Sequence, residues 1–233
     1  MGLGDQLLAA GKAKLRHRET GEKIAIGDGD RVIWCPLYDH NPYLSRDPVD
    51  EWVIDYPGHR GYFTGKNPYV WNYDYRAEPA EVFLTDEELD FDYGDYVLVE
   101  SNFKHGSSKA KQWARWQEVV DSVDYQFIQP SYGPGVLDGV TPRATTIRQA
   151  AALMKKAKAY LGPDGCLHHL AAAFQTPSVV VFGAFAPPEV TGYSYQNIFS
   201  AGATGEMKDS PEMRGLLDQI KPGDVARALE ELL

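Results

Sequence analysis

Residues 160–199 read YLGPDGCLHHLAAAFQTPSVVVFGAFAPPEVTGYSYQNIF, and this stretch decides the fold. Ala159 to Gly162 is a short apolar strand. The loop Pro163-Asp164-Gly165-Cys166 leads into a helix over Leu167 to Phe174. Thr176-Pro177 then turns the chain into Ser178 to Gly183, apolar at nearly every position and rich in valine. A strand without polar alternation is buried on both faces, as in a parallel sheet covered by helices.

Outward from this unit the alternation continues. Strands are expected at Tyr96 to Glu100, Tyr125 to Gln129 and Gln196 to Ser200. Helices are expected at Lys109 to Val123, Thr146 to Lys158 and Pro222 to Leu233, with a loop at Gly133-Pro134-Gly135. Strands alternating with helices give an α/β fold, and such sheets bind ligands beyond the carboxyl ends of their strands. At the N-terminus, Gly2 to Thr20 reads as a helix with Leu7, Leu8, Gly11 and Leu15 on one face. A short strand follows at Lys23 to Ile26, then a turn at Asp28-Gly29-Asp30. Residues 39–79 sustain no period and crowd Pro, Gly, Asn and aromatics together, which reads as ordered functional loops.

Composition bounds the function. The 233 residues carry 33 Asp+Glu against 23 Lys+Arg, a formal charge of −10. A general polyanion binder would carry a basic excess. Cys35 and Cys166 form neither a CxxC metal pair nor a disulfide framework, and His17, His168 and His169 lack metal-ligand spacing. The chain shows no signal-peptide layout, no membrane-spanning apolar run and no myristoylation or N-glycosylation motif. The expectation is a cytoplasmic protein.

Three segments carry chemistry. The helix after Pro163-Asp164-Gly165-Cys166 offers free backbone N–H groups to a phosphate. Asp164 is placed to accept from a sugar hydroxyl, or equally to act as an ordinary helix N-cap. Lys111, in Lys109-Ala110-Lys111-Gln112-Trp113, is the best local cation for a diphosphate, with Ser107 and Ser108 as hydroxyl donors before it; a solvated surface lysine is the plainer account. Asp5, in Gly2-Leu3-Gly4-Asp5, suits a general base or simply the first turn of a helix. A fourth group, His59, Arg60, Trp71, Tyr73, Asp74 and Arg76, suits a sugar ring or a base, though packing against the N-terminal sheet explains it as well.

These segments resemble glycosyltransferase family 9, the ADP-heptose–lipopolysaccharide heptosyltransferases. Asp164, His169, Leu170 to Ala173, Thr176-Pro177 and Phe182-Gly183 follow the family's nucleotide-sugar motif, Lys111 its Lys-x-Trp segment, and Gly2-Leu3-Gly4-Asp5 its Gly-x-Gly-Asp loop. Gly165 stands where the family has Thr or Ser, and Cys166 where it has Gly. The resemblance implies a reduced GT-B-like α/β fold of two Rossmann-like lobes with parallel sheets, the N-terminal one trimmed. Residues 1–94 would form the acceptor lobe and 95–220 the nucleotide-sugar lobe; 221–233 would be a closing helix packing back on the first lobe. In the family a strand precedes the Gly-x-Gly-Asp loop, which here would be missing or replaced.

The activity implied is a metal-independent inverting glycosyltransfer from a nucleotide-diphospho-sugar, ADP-heptose by default, to a hydroxyl acceptor, with no cofactor. Asp5 would be the base. Lys111, Ser107, Ser108, Asp164, Gly165, Cys166 and His169 would bind the donor, and His59, Arg60, Trp71, Tyr73 and Asp74 the acceptor. Two alternatives stay open: transfer to a hydroxymethylated nucleic-acid base, and a non-catalytic sugar-nucleotide-binding module.

Overall fold

A computed structural model describes residues 2–64, 70–102, 111–131, 135–202 and 211–233. The chain opens with helix α1 (Leu3–Thr20), whose buried face carries Leu7, Leu8, Ala9, Ala10 and Ala13. It ends at Gly21, where a left-handed φ of 75° lets the backbone N–H reach the His17 carbonyl at 2.7 Å. Strand β1 (Ile24–Gly27) pairs in parallel with β2 (Glu51–Ile54), Ile24 facing Glu51 and Gly27 facing Ile54. The turn that follows β1 is local: the Asp28 carboxylate accepts from the N–H groups of Asp30 (3.0 Å) and Arg31 (2.7 Å). An antiparallel pair, β3 (Phe63–Thr64) and β4 (Val70–Trp71), completes the small lobe. The residues without a sustained period thus hold β2 and this pair, held in place by aromatic packing of Tyr62, Phe63 and Trp71.

The larger sheet contains β5 (Val97–Val99), β6 (Phe127–Ser131), β7 (Thr141–Ala144), β8 (Ala159–Pro163), β9 (Ser178–Phe182) and β10 (Asn197–Ser200). All pairs are parallel, in the order β7-β6-β5-β8-β9-β10. Counted within the sheet this is 3-2-1-4-5-6, the doubly wound order. Strand β7, which lacks an apolar pattern, lies at the edge, where Pro142 is tolerated.

Side chains alternate between two cores, one on each face. Leu98, Tyr160, Val180 and Phe182 join the core shared with α1, with α3 (Ile147–Lys156) and with α4 (Cys166–Phe174). Val97, Val99, Leu161, Val179 and Val181 join the other, with α2 (Trp116–Ser122) and α7 (Pro222–Glu230). Burial on both faces is why these strands are apolar throughout. Two short helices, α5 (Pro188–Thr191) and α6 (Pro211–Leu217), fill the remaining connections. No helix among the described residues is long and apolar enough to cross a membrane.

Two expectations are corrected. Helix α2 begins at Trp116 rather than Lys109, so Lys111 lies in a turn before the helix, with the Trp113 N–H on the Lys111 carbonyl at 3.0 Å. Trp113 is buried edge-on to Trp116, which holds this stretch against the sheet. The closing helix α7 packs against α2 and β9. Val225, Ala226 and Leu229, its apolar stripe, are consumed by the large sheet's core, so it does not return to the first lobe.

Candidate active site

Strands β5 and β8 are neighbours whose connections leave in opposite directions, to β6 and to β9. The crevice outside their carboxyl ends is the sheet's topological switch point. Glu100 follows β5 there, and Asp164-Gly165 follows β8. Asp164 does not cap α4; the N-cap residue is Gly165, in extended backbone with no side-chain cap bond. One oxygen of Asp164, Oδ2, instead meets Lys111 Nζ at 2.7 Å, and Oδ1 is buried with no hydrogen-bond partner. Burial pushes the Asp164 carboxyl up, and the Lys111 ammonium opposes that shift. Lys111 also lies over the Phe185 ring at 4.7 Å. Tertiary folding thus joins two residues 53 positions apart in the sequence.

Two buried histidines shape the start of α4. His168 Nδ1 accepts the Gly165 N–H at 2.8 Å, so its Nε2 carries the proton and donates to the Thr191 carbonyl at 3.0 Å. Burial pushes His168 down to about 4, which keeps it neutral. The Nδ1 atom of His169 lies 2.9 Å from the Tyr193 hydroxyl, and burial, with His168 and Lys111 nearby, pushes this ring well down too. Burial likewise pushes the Cys166 thiol up, so it is no thiolate nucleophile.

Gly4 brings α1 to the same place. A Cβ at Gly4 would lie 3.3 Å from His169 Cδ2 and 3.6 Å from the Cys166 nitrogen, so the first turn of α1 sits directly on the first turn of α4. Asp5 follows. Its Oδ2 accepts from the Gly2 N–H (2.8 Å) and pairs with Arg60 Nη2 (3.0 Å), while Oδ1 accepts from the Tyr62 hydroxyl (2.6 Å). The base candidate of one lobe and the donor candidates of the other therefore flank one junction.

The remaining expected residues scatter. Of the proposed acceptor group, Arg60 reaches Asp5. Trp71 is buried, stacked on Tyr62 and edge-on to Phe185, a core role beneath the site. His59 is exposed and stacks on Tyr56, with centroids 4.4 Å apart; Tyr73 and Asp74 are exposed. Ser107 and Ser108 lie outside the described residues. Sequence reasoning missed Tyr62, Phe185, His168 and Glu100. Only Glu100 left a signal, an acid ending an apolar strand. Among the described residues, no cluster of three or more His, Cys, Asp or Glu forms a metal site, and both cysteines are free.

Comparison with known proteins fits this geometry. The sequence profile of glycosyltransferase family 9 (heptosyltransferase) matches residues 139–215. No curated protein sequence matches the chain. Among solved structures, the iron-containing dodecameric glycosyltransferase TibC from enterotoxigenic E. coli superposes with a TM-score of 0.68 at 16% identity, covering 100% of this chain and 74% of that one. A glycosyl transferase family 9 protein from Veillonella parvula gives 0.68 at 13% identity, covering 100% and 94%. TibC in complex with ADP-D-beta-D-heptose gives 0.50 at 16% identity, covering 67% and 49%. The profile match bears out the resemblance and supports a sugar-transferring enzyme; the structural likeness shows the GT-B-like fold. Residues 139–215 of this chain match the glycosyltransferase family 9 (heptosyltransferase) profile, and its fold is similar to that of solved glycosyltransferases.

Proposed function

We propose that this protein transfers a sugar from a nucleotide-diphospho-sugar to a hydroxyl acceptor, with inversion and without a metal. The observation that supports the reading is the contact of the first turns of α1 and α4, where Gly4, the neighbour of Asp5, lies against His169 and Cys166, two residues on from the Lys111–Asp164 pair. Asp5 takes the proton from the acceptor hydroxyl as that oxygen attacks the anomeric carbon. The bond from that carbon to the phosphate oxygen breaks, and the diphosphate leaves with the electron pair. Lys111 and the first turn of α4, whose dipole points its positive end at the loop, stabilise the negative charge that develops. The unpaired Oδ1 of Asp164 is suited to accept from a hydroxyl of the donor. His168 and His169, held neutral, orient the loop and add no charge.

An ADP-linked heptose is the first donor to try, since TibC was solved with ADP-heptose. The expected division of labour is residues 1–94 for the acceptor and 95–220 for the donor. Thermal unfolding with ADP, UDP, GDP and their sugars tests the reading. A ligand at about one hundred times its Kd stabilises the native state by about 2.7 kcal/mol. The diphosphates, and most of all the matching sugar, should raise the melting temperature, and Lys111→Ala should remove most of the rise. Absence of any rise across the panel would overturn the reading.

A further inference from the structure

The transfer step above gives Phe185 no part, yet this ring joins its two halves. Phe185 lies in the loop that follows β9, residues 183–187. That loop stands beside the one after β8, with the Asp164 N–H on the Val181 carbonyl at 3.2 Å. Ala184 and Ala186 on either side are buried, which anchors the loop, while the Phe185 ring is half-buried. Lys111 Nζ lies over the ring, 4.7 Å from its centroid, and also meets Asp164 Oδ2 at 2.7 Å. With both contacts the lysine side chain is only 20% exposed. Phe185 in turn meets Trp71 of β4 at 88°, with centroids 5.8 Å apart. Trp71 is buried and stacks on Tyr62 at 5.9 Å, and the Tyr62 hydroxyl donates to Asp5 Oδ1 at 2.6 Å. A contiguous row therefore runs from Lys111 through Phe185, Trp71 and Tyr62 to Asp5.

A lysine is a flexible side chain, and ordering one on a ligand costs affinity. An ammonium over an aromatic face is held by the ring's quadrupole, more firmly where water is excluded. A perpendicular aromatic pair favours one orientation of its rings. We infer that Phe185 is a positioning residue that acts through Lys111, and that Trp71 sets its ring, so that packing in the first lobe helps to hold the cation that meets the diphosphate. The inference deepens the proposed transfer and rests on it for the role of Lys111. The ammonium meets the ligand already placed, so less of its freedom is lost on binding. Trp71 bears on the donor site through Phe185 rather than by touching the ligand.

The first test needs no ligand. The lysine ε-protons of the full chain are followed by NMR, and Lys111 is the signal missing from Lys111→Met. Protons over an aromatic face are shifted upfield, so the native Lys111 signal should lie upfield of exposed lysines. It should return towards them in Phe185→Leu and move part of the way in Trp71→Phe. An ordinary position in the native chain, or no movement in either variant, would overturn the inference. The second test is calorimetry with ADP, UDP and GDP. Phe185→Leu should weaken the diphosphate that the native chain binds by about two- to tenfold, the range for ordering one flexible side chain. Phe185→Tyr keeps the ring and should bind close to native. A ring-fluorinated phenylalanine at position 185 keeps the shape and drains charge from the ring face, so a loss there does not come from misfolding; its affinity should fall between native and Phe185→Leu. Native affinity in the fluorinated variant would mean that packing alone matters and would overturn the inference. A chain whose Lys111 signal behaves as expected but that binds none of the three diphosphates would sink the transferase reading and leave Phe185 holding Lys111.

Discussion

Asp5 carries three donors, from Gly2, Arg60 and Tyr62, and each pins its carboxylate at the junction of the lobes. Asp5→Asn keeps the shape and removes the proposed base. Sugar transfer should fall by about a hundredfold or more, the usual range for a general base, while calorimetry shows donor affinity close to native. Full turnover in this variant would place the base elsewhere. Glu100 makes a separate case. It is 6% exposed, and burial pushes it up to about 7 against the opposing backbone N–H bonds of Asn102 and Ser101. An unfolded glutamate ionises near pH 4.3. Between those values the unfolded state binds fewer protons, so this group's contribution to stability is intact at low pH and is lost as pH rises towards 7. The full cost above that is about 4 kcal/mol. Glu100→Gln should therefore gain stability in urea unfolding at pH 8 and change little at pH 4; equal effects at both would refute the argument. Asp5, Lys111 and Asp164 were singled out because short motifs carry them. Tyr62 and Glu100 were not, because a tyrosine or an acid in a sequence does not reveal which polar group it will face.

Elements were legible wherever burial is two-sided. The runs ending at Val99, Pro163 and Phe182 declared themselves as strands because both faces meet helices. Strands β2 and β7 were not visible, since each is short and lies at a sheet edge. Helix α1 shows how an element is fixed by its neighbours. A Cβ on Gly11 would lie 1.9 Å from the Glu78 carbonyl oxygen, so the chain crosses α1 in direct backbone contact. In an isolated helix, Gly→Ala gains about 1 kcal/mol. Here the backbone must move, at a typical cost of about 1–3 kcal/mol or more for overpacking. Gly11→Ala should lower the melting temperature, whereas Gly223→Ala in α7, which meets nothing within 4 Å, should leave it unchanged or slightly higher. Scanning calorimetry of the two variants decides; a stabilised Gly11→Ala would refute the close approach.

At the scale of the molecule, Arg148 ties the loops of the first lobe to the larger sheet. It projects from the first turn of α3. Its guanidinium pairs with Glu88 (Nη2 to Oε2 2.6 Å) and donates to the carbonyls of Pro36 (2.8 Å) and Phe83 (2.7 Å). Its side chain is 12% exposed. The hydrogen bond from Arg148 holds Glu88 down at about 2. That stabilisation is present above the ordinary carboxylate range and is lost as pH falls through about 2. Arg148→Met leaves Glu88 and two carbonyls without their partner. It should cost about 1.5–3 kcal/mol at pH 7, the range for a lost hydrogen bond to a charged group, and the difference from native should shrink in acid. Chemical denaturation at both pH values measures this; a loss that does not change with pH would mean that packing dominates.

The sequence by itself determined the doubly wound lobe and the two helix starts, because hydrophobic period and turn residues are local properties of the chain. Charge and composition added only exclusions. Tertiary structure alone decided that Asp164 pairs with Lys111 rather than capping its helix, and that Trp71 is core while Arg60 reaches Asp5. Each of these depends on which groups lose their water together, and that is fixed by contacts between segments many residues apart.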